Sequence, residues 1–109
     1  MSDFIDYLKE VFAPLGVVQP RKMFGGHGIF YDGVMIALVA DDCLYLKVDK
    51  HTQAEFSDLD LPAFEYEKNG KTFAMSYRLA PESIYDDPDE ALQWARLAYE
   101  AALRGKKKT

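Results

Sequence analysis

Apolar residues near the N-terminus recur every three to four positions, at Phe4, Ile5, Leu8, Val11, Phe12 and Leu15. That spacing lines one side of an α-helix, with Ser2 as its N-cap and Pro14 and Gly16 ending the pattern. Beyond Pro20 the period shortens. Residues 22–25, 28–31, 34–40 and 43–48 read as extended, with Asp32-Gly33 and Asp41-Asp42 as turns, and predict a meander of about three strands. The segment 34–40 is apolar at every position and predicts a central strand covered on both faces. By contrast Leu44, Leu46 and Val48 alternate with Tyr45, Lys47 and Asp49, so that strand has one wet face. Residues 50–59 are polar apart from Ala54, Phe56 and Leu59, and suit a short surface helix before Pro62. Phe64 and Tyr66, then Phe73, Met75, Tyr77 and Leu79, alternate on either side of Asn69-Gly70, which predicts a hairpin because both turn residues tolerate positive φ. Asp87-Pro88-Asp89-Glu90 opens a last helix, with an aspartate cap, proline at the first helical position and acidic residues at the positive end of the dipole. Its predicted buried stripe is Leu92, Ala95, Tyr99, Ala102 and Leu103, with Trp94 and Ala98 near the edge.

The element order is therefore α-β-β-β-α-β-β-α, an α+β plan. It predicts a single antiparallel sheet of about five strands, with the first and last helices packed on it and the middle helix near an edge. Phe24, Ile36, Leu38, Leu44, Leu46, Phe73 and Met75 join Phe4, Leu8, Phe12, Leu92, Ala95 and Tyr99 in the predicted core. An open sheet leaves two strand edges with unpaired backbone groups, and edge pairing between two copies is one remedy. Tyrosines at 31, 45, 66, 77 and 85 favour such pairing, since tyrosine is enriched at interfaces. A homodimer is the expectation.

Composition narrows the class. The chain has 109 residues, 49% hydrophobic and 28% charged, which fits one globular domain at residues 1–103 followed by a basic, disordered tail at 104–109. Arg104, Lys106, Lys107 and Lys108 are four of its 13 basic residues, so residues 1–103 hold nine basic against 18 acidic side chains. A body that acidic repels phosphate backbones and disfavours direct nucleic-acid binding, leaving the tail as the one place where DNA could be held. No run approaches the roughly 20 apolar residues of a membrane span, and no basic-then-apolar leader opens the chain. With one cysteine, Cys43, there is neither an intramolecular disulfide nor a cysteine-built zinc site. The cytoplasm is the expected compartment.

Few residues carry candidate chemistry. Gly25-Gly26-His27-Gly28 has the backbone freedom of a phosphate cradle, but leads into Ile29-Phe30-Tyr31 and lacks the lysine and hydroxyl of a nucleotide loop. A bulge or sharp bend between two strand pieces is the better reading. His27, His51 and Cys43 show no metal-ligand spacing. Cys43 follows Asp41-Asp42, whose negative charge disfavours a thiolate nucleophile. The carboxylates Glu82, Asp86, Asp87, Asp89 and Glu90 are accounted for by the helix dipole, and Glu65 and Glu67 face water. Arg21, Lys22, Lys47 and Arg78 would form a small cationic patch if the first, third and fifth strands were neighbours; four separate solvated charges is the alternative. The rival to a protein-interaction role is a small enzyme or ligand binder that uses the glycine turn.

Residues 21–33, Arg-Lys-Met-Phe-Gly-Gly-His-Gly-Ile-Phe-Tyr-Asp-Gly, run on through Ala37-Leu38-Val39-Ala40 to Leu44-Tyr45-Leu46-Lys47-Val48-Asp49. With the later Phe73-Ala74-Met75-Ser76-Tyr77, the Pro81-Glu82 step and the closing helix with Trp94, this resembles the N-terminal domain of the TfoX/Sxy competence regulators along almost the whole chain. The resemblance implies an α+β domain of the secretion-chaperone-like kind, without a known active site or cofactor, in bacterial proteins tied to control of DNA-uptake genes. Regulators of that kind carry a second, C-terminal domain. A protein-binding role in transcriptional control is thus the expectation, with an unidentified protein as partner. The candidate interaction surface is Arg21, Lys22, Gly25, Gly26, His27, Gly28, Lys47 and Arg78.

Overall fold

Hydrophobic periodicity and turn chemistry resolve into four helices and six strands in a computed structural model that describes residues 3–23 and 25–107, apart from the side chains of Phe73, Ala74 and Lys107. In chain order they are α1 (Asp3–Val11), β1 (Gln19–Met23), β2 (Gly26–Tyr31), β3 (Val34–Ala40), β4 (Cys43–Lys47), α2 (Gln53–Ser57), β5 (Ala63–Lys68), β6 (Lys71–Leu79), α3 (Ser83–Asp86) and α4 (Pro88–Lys107). The strands make one antiparallel sheet in the order β1-β2-β3-β4-β6-β5. The α+β, single-sheet plan is as expected, and the strand count is six rather than five.

The extra strand comes from the glycine run. Where a bend within one strand is expected, β1 and β2 pair as a hairpin with Met23 opposite Gly26 and Gly25 in the left-handed region at φ +75°. Two features obscure β1: Pro20, which cannot donate to a ladder and is tolerated because this strand lies at the sheet edge, and two consecutive basic residues. The other turns match their sequences. Asp32-Gly33, Asp41-Asp42 and Asn69-Gly70 all take positive φ at both positions, the geometry that closes a two-residue hairpin.

One face of the sheet carries the helices. Ile5, Leu8, Val11 and Phe12 of α1 and the segment after it, and Ala91, Trp94, Ala95, Ala98 and Ala102 of α4, join Ile29, Ala37, Val39, Leu44 and Leu46 in one buried cluster. The α4 stripe is rotated relative to expectation: Trp94 and Ala98 are buried, while Leu92, Tyr99 and Leu103 sit half-buried at its flank. Alanines let α4 lie close on β3 and β4, and that proximity outweighs the larger burial leucine would offer. Met75 is likewise half-buried and Phe24 lies outside the described residues, whereas Leu8, Phe12, Ile36, Leu38, Leu44, Leu46 and Ala95 are buried as expected. Phe56 of α2 is fully buried, edge-on to Trp94 at 4.8 Å between ring centres. The Trp94 indole N–H donates to Glu90, which also accepts from Ser83 and so ties α3 to α4. The N-cap Asp87 accepts from the amides of Asp89 and Glu90, as expected; Ser2, the other expected cap, lies outside the described residues.

In the described part of the basic end, residues 104–107, helix stands where a loose tail is expected; residues 108–109 lie outside the described residues. Helix α4 runs on through Lys107, and Arg104 folds back on Asp49, its Nε 2.5 Å and its Nη2 3.1 Å from the two carboxylate oxygens. The same carboxylate accepts from the backbone N–H groups of His51 and Thr52, which opens the turn into α2. Asp49 therefore joins the end of β4, the approach to α2 and the last turns of α4. The guanidinium beside it holds its carboxyl well below the usual carboxylate range.

Candidate functional site

Directly paired residues of antiparallel strands share a face, and successive residues alternate. Since Ala37 pairs with Leu46 and Val39 with Leu44 on the helix side, Leu38 and Tyr45 point to the opposite side, where none of the described helices packs. The irregularity between Ile29 and Phe30 keeps Ile36 and Ala37 both in the core and sends Met35 to the opposite side with its partner Phe30. Continued across the sheet, the register assigns Arg21 and Met23 of β1, Gly26 and Gly28 of β2, Lys47 of β4, Met75 and Tyr77 of β6, and Phe64, Tyr66 and Lys68 of β5 to this open face.

The face is concave. Residues from distant strands, Met23 and Gly26 near one edge and Phe64, Tyr66 and Lys68 of the other edge strand, line a single cleft of about 450 Å³ together with Leu38, Val39, Ala40 and Met75. Leu38 is only 3% exposed although none of the described helices covers it, and it lines the cleft with Phe64, Tyr66 and Met75. Glycine permits a close backbone approach at one point: a Cβ on Gly26 would lie 2.0 Å from the Val39 carbonyl oxygen, so only a hydrogen fits between these backbones. At Gly28 a Cβ would meet the sulfurs of Met23 and Met35 at 2.8 and 3.0 Å. The chain has four methionines, and Met23, Met35 and Met75, all but the initial one, stand on this face.

The charged strand residues that point to this side are basic. The Arg21 guanidinium lies 4.8 Å from the centre of the Phe30 ring and the Lys47 ammonium 5.1 Å from that of Tyr77, each cation held over an aromatic face. Lys47 also donates to the Ser76 hydroxyl at 2.6 Å, and burial lowers its pKa, with Asp49 opposing. Lys68 lines the cleft and pairs with Lys71 across the Asn69-Gly70 turn. The strand positions on this face include no Asp or Glu; Glu65 and Glu67 point the other way and are exposed.

The structure divides the sequence-predicted surface residues. Arg21, Gly26, Gly28 and Lys47 share the open face. Lys22 and His27, paired with each other, lie on the helix side in a shallow groove with Ile5, Asp6, Lys9 and Asp42, and Gly25 stands at the turn. Arg78 pairs with Leu46 on the helix side and donates to the Leu61 carbonyl at 2.8 Å. The four-residue cationic patch, conditional on neighbouring strands, does not form, because β1 and β4 are separated by β2 and β3. Cys43 lies in a separate groove with Tyr85, whose hydroxyl is pushed up to about 12 by burial and nearby Glu82. Sequence reasoning missed the methionines and Lys68; their shared parity along paired strands was the available signal.

Among the described residues the sheet carries helices on one face only, and its other face presents a concave, largely apolar cleft. The sequence profile of the TfoX N-terminal domain family matches residues 10–102, and the chain belongs to that family. It is 26% identical over 99 residues to protein Sxy of Escherichia coli (strain K12), covering 90% of this chain and 47% of that protein. It is 29% identical over 104 residues to the DNA transformation protein TfoX1 of Aliivibrio fischeri (strain ATCC 700601 / ES114), covering 89% of this chain and 48% of that protein. The chain thus spans about half the length of the curated relatives it matches. No helix among the described residues is long and apolar enough to cross a membrane.

Proposed function

We propose that this chain is a non-catalytic regulatory domain that acts through a protein partner in transcriptional control of the competence kind. The observation that carries the reading is the open sheet face, an apolar, methionine-lined concavity of the sort that adapts to protein side chains. Membership of the TfoX N-terminal domain family, and two relatives named for DNA transformation or Sxy, supply the regulatory context. An enzyme would need convergent groups in a concave site. The cleft is lined by neither of the two residues best suited to such work, His27 and Cys43, which lie in different grooves. A small-molecule site is supported by the cleft volume, but among the described residues Lys68 is the one charged group lining it. DNA binding through the basic end is disfavoured because Arg104 is engaged by Asp49 within the fold.

The test is an inducible copy of the gene in a source bacterium deleted for its own, with transcript profiling and affinity purification of the tagged chain. Altered DNA-uptake transcripts and a stoichiometric co-purifying protein are expected. Unchanged transcripts with no co-purifying protein overturn the reading, as does turnover of a small substrate that is lost on His27→Ala.

A further inference from the structure

The concave face combines three features that specify its occupant. Its lining is soft: Met23, Met35 and Met75 are half-buried and unbranched, and methionine surfaces adapt to apolar helices laid into grooves. The charged side chains that its strands turn to this side are all basic, with four of the nine basic residues of positions 1–103 (Arg21, Lys47, Lys68 and Lys71) on it or at its rim; Glu65 and Glu67 of β5 point the other way, and Asp41 and Asp49 stand at strand ends near Tyr45 and Lys47. That segregation runs against the acidic remainder of the chain. Finally, the Phe30 and Tyr77 rings are capped by cations, and Tyr45 is held edge-on to Phe64 at 5.0 Å, so these rings do not form a platform for stacked bases.

We propose that this face binds an acidic amphipathic helix of a protein partner. Its apolar residues, spaced i, i+3/i+4 and i+7, seat in the cleft of Met23, Leu38, Phe64 and Met75, and flanking Asp or Glu side chains meet Arg21, Lys47 and Lys68. The inference rests on the protein-partner reading above and adds the chemistry of the partner. A second copy of this chain fits less well, because the same face on both copies would bring cation to cation.

The test selects binders from a display library of random 16-residue peptides on the full chain, then measures the winners by fluorescence anisotropy. The expected winners carry large apolar residues at helical spacing and an excess of Asp and Glu. Their affinity falls about tenfold on Lys68→Glu and on Met75→Glu, and falls with added salt. Circular dichroism checks that both variants fold, and methyl shifts of Met23, Met35 and Met75 in NMR report contact if either does not. Winners that are basic or lack helical spacing, an empty selection, or methyl signals that do not move each overturn the proposal. So does a 12-residue single-stranded DNA that binds this face more tightly than any peptide, or a dimer dissolved by Met75→Glu. These outcomes separate the two claims: a failed selection with altered DNA-uptake transcripts removes only the helix, while good peptides with unchanged transcripts remove only the regulatory role.

Discussion

Alanine at Gly26 is the sharpest perturbation the fold allows. The added Cβ would stand 2.0 Å from the Val39 carbonyl oxygen and 3.2 Å from its carbon. A carbon and a carbonyl oxygen come no closer than about 3.3 Å even in a favourable C–H···O contact, so β2 must retreat from β3 by more than about 1 Å. That movement strains the His27–Val39 pairing on one side and the Met23–Gly26 pairing on the other. Ladder hydrogen bonds contribute about 1 kcal/mol each, and overpacking a tight site costs about 1–3 kcal/mol, so a loss of about 3–4 kcal/mol is expected. Two controls separate crowding from glycine loss in general. At Gly28 the added carbon meets chiefly thioether sulfurs that can swing aside, for about 1 kcal/mol. At Gly33 it meets open space, and the cost is the left-handed backbone at φ +82°, about 1–2 kcal/mol. Urea unfolding followed by circular dichroism reads these values: with a slope of roughly 1–3 kcal/mol/M, Gly26→Ala lowers the midpoint by about 2 M and the other two by under about 1 M. A Gly26→Ala midpoint within about 0.3 M of the parent, or below neither control, refutes the close-approach account.

Three further outcomes are expected. Asp49 has a folded-state pKa below its unfolded value near 3.9, so the stability it contributes is complete above that value and is lost as pH falls through the lower, folded value; Asp49→Asn is therefore destabilised by about 2 kcal/mol at pH 7, and by acid unfolding curves the gap to the parent narrows as pH falls below about 3.9 and closes only below the folded value. Phe56→Ala removes a fully buried ring packed edge-on to Trp94 and lowers stability by about 3–5 kcal/mol in the same urea assay; a loss under about 1 kcal/mol would mean α2 is not part of the core. Size exclusion with light scattering tests self-association through the edge strands β1 and β5: a doubled mass that dissociates on dilution is expected, and the mass of one chain at every concentration rejects it.

Local chemistry was the most legible level of this fold. Asn69-Gly70, Asp32-Gly33 and Asp87-Pro88 each encode their geometry within a few residues, and each turn or cap forms as its residue types demand. What escaped was set by distance along the chain. β1 is short, basic and begins around a proline, so no window marks it as a strand; pairing with β2 makes it one. Nothing in residues 83–86 announces α3, which is held through the Ser83–Glu90 contact. The candidate site was hidden for another reason. Apolar residues on β3 alternate between a face under α4 and a face under nothing, and Leu38 and Val39 look alike in the sequence although only one lies beneath a helix. Arg104 read as part of a solvated tail because its partner, Asp49, lies 55 positions away.

The strand order has a kinetic consequence. Every neighbouring pair in the sheet but one is joined by a two-residue loop; β4 alone finds its partner across α2 and β5, with Tyr45 meeting Leu79. Four hairpin contacts therefore close on microsecond timescales, while the β4–β6 seam must first offset the entropy of a much longer loop. The chain would assemble as two blocks, the β1–β4 meander and the β5–β6 hairpin, and their docking would set the folding rate. Under native conditions the same seam is where the sheet would open, and amides of β5 and β6 would exchange with solvent ahead of those in β3. Since Phe64, Lys68 and Met75 belong to the detachable block, the concave face would widen or close with that motion.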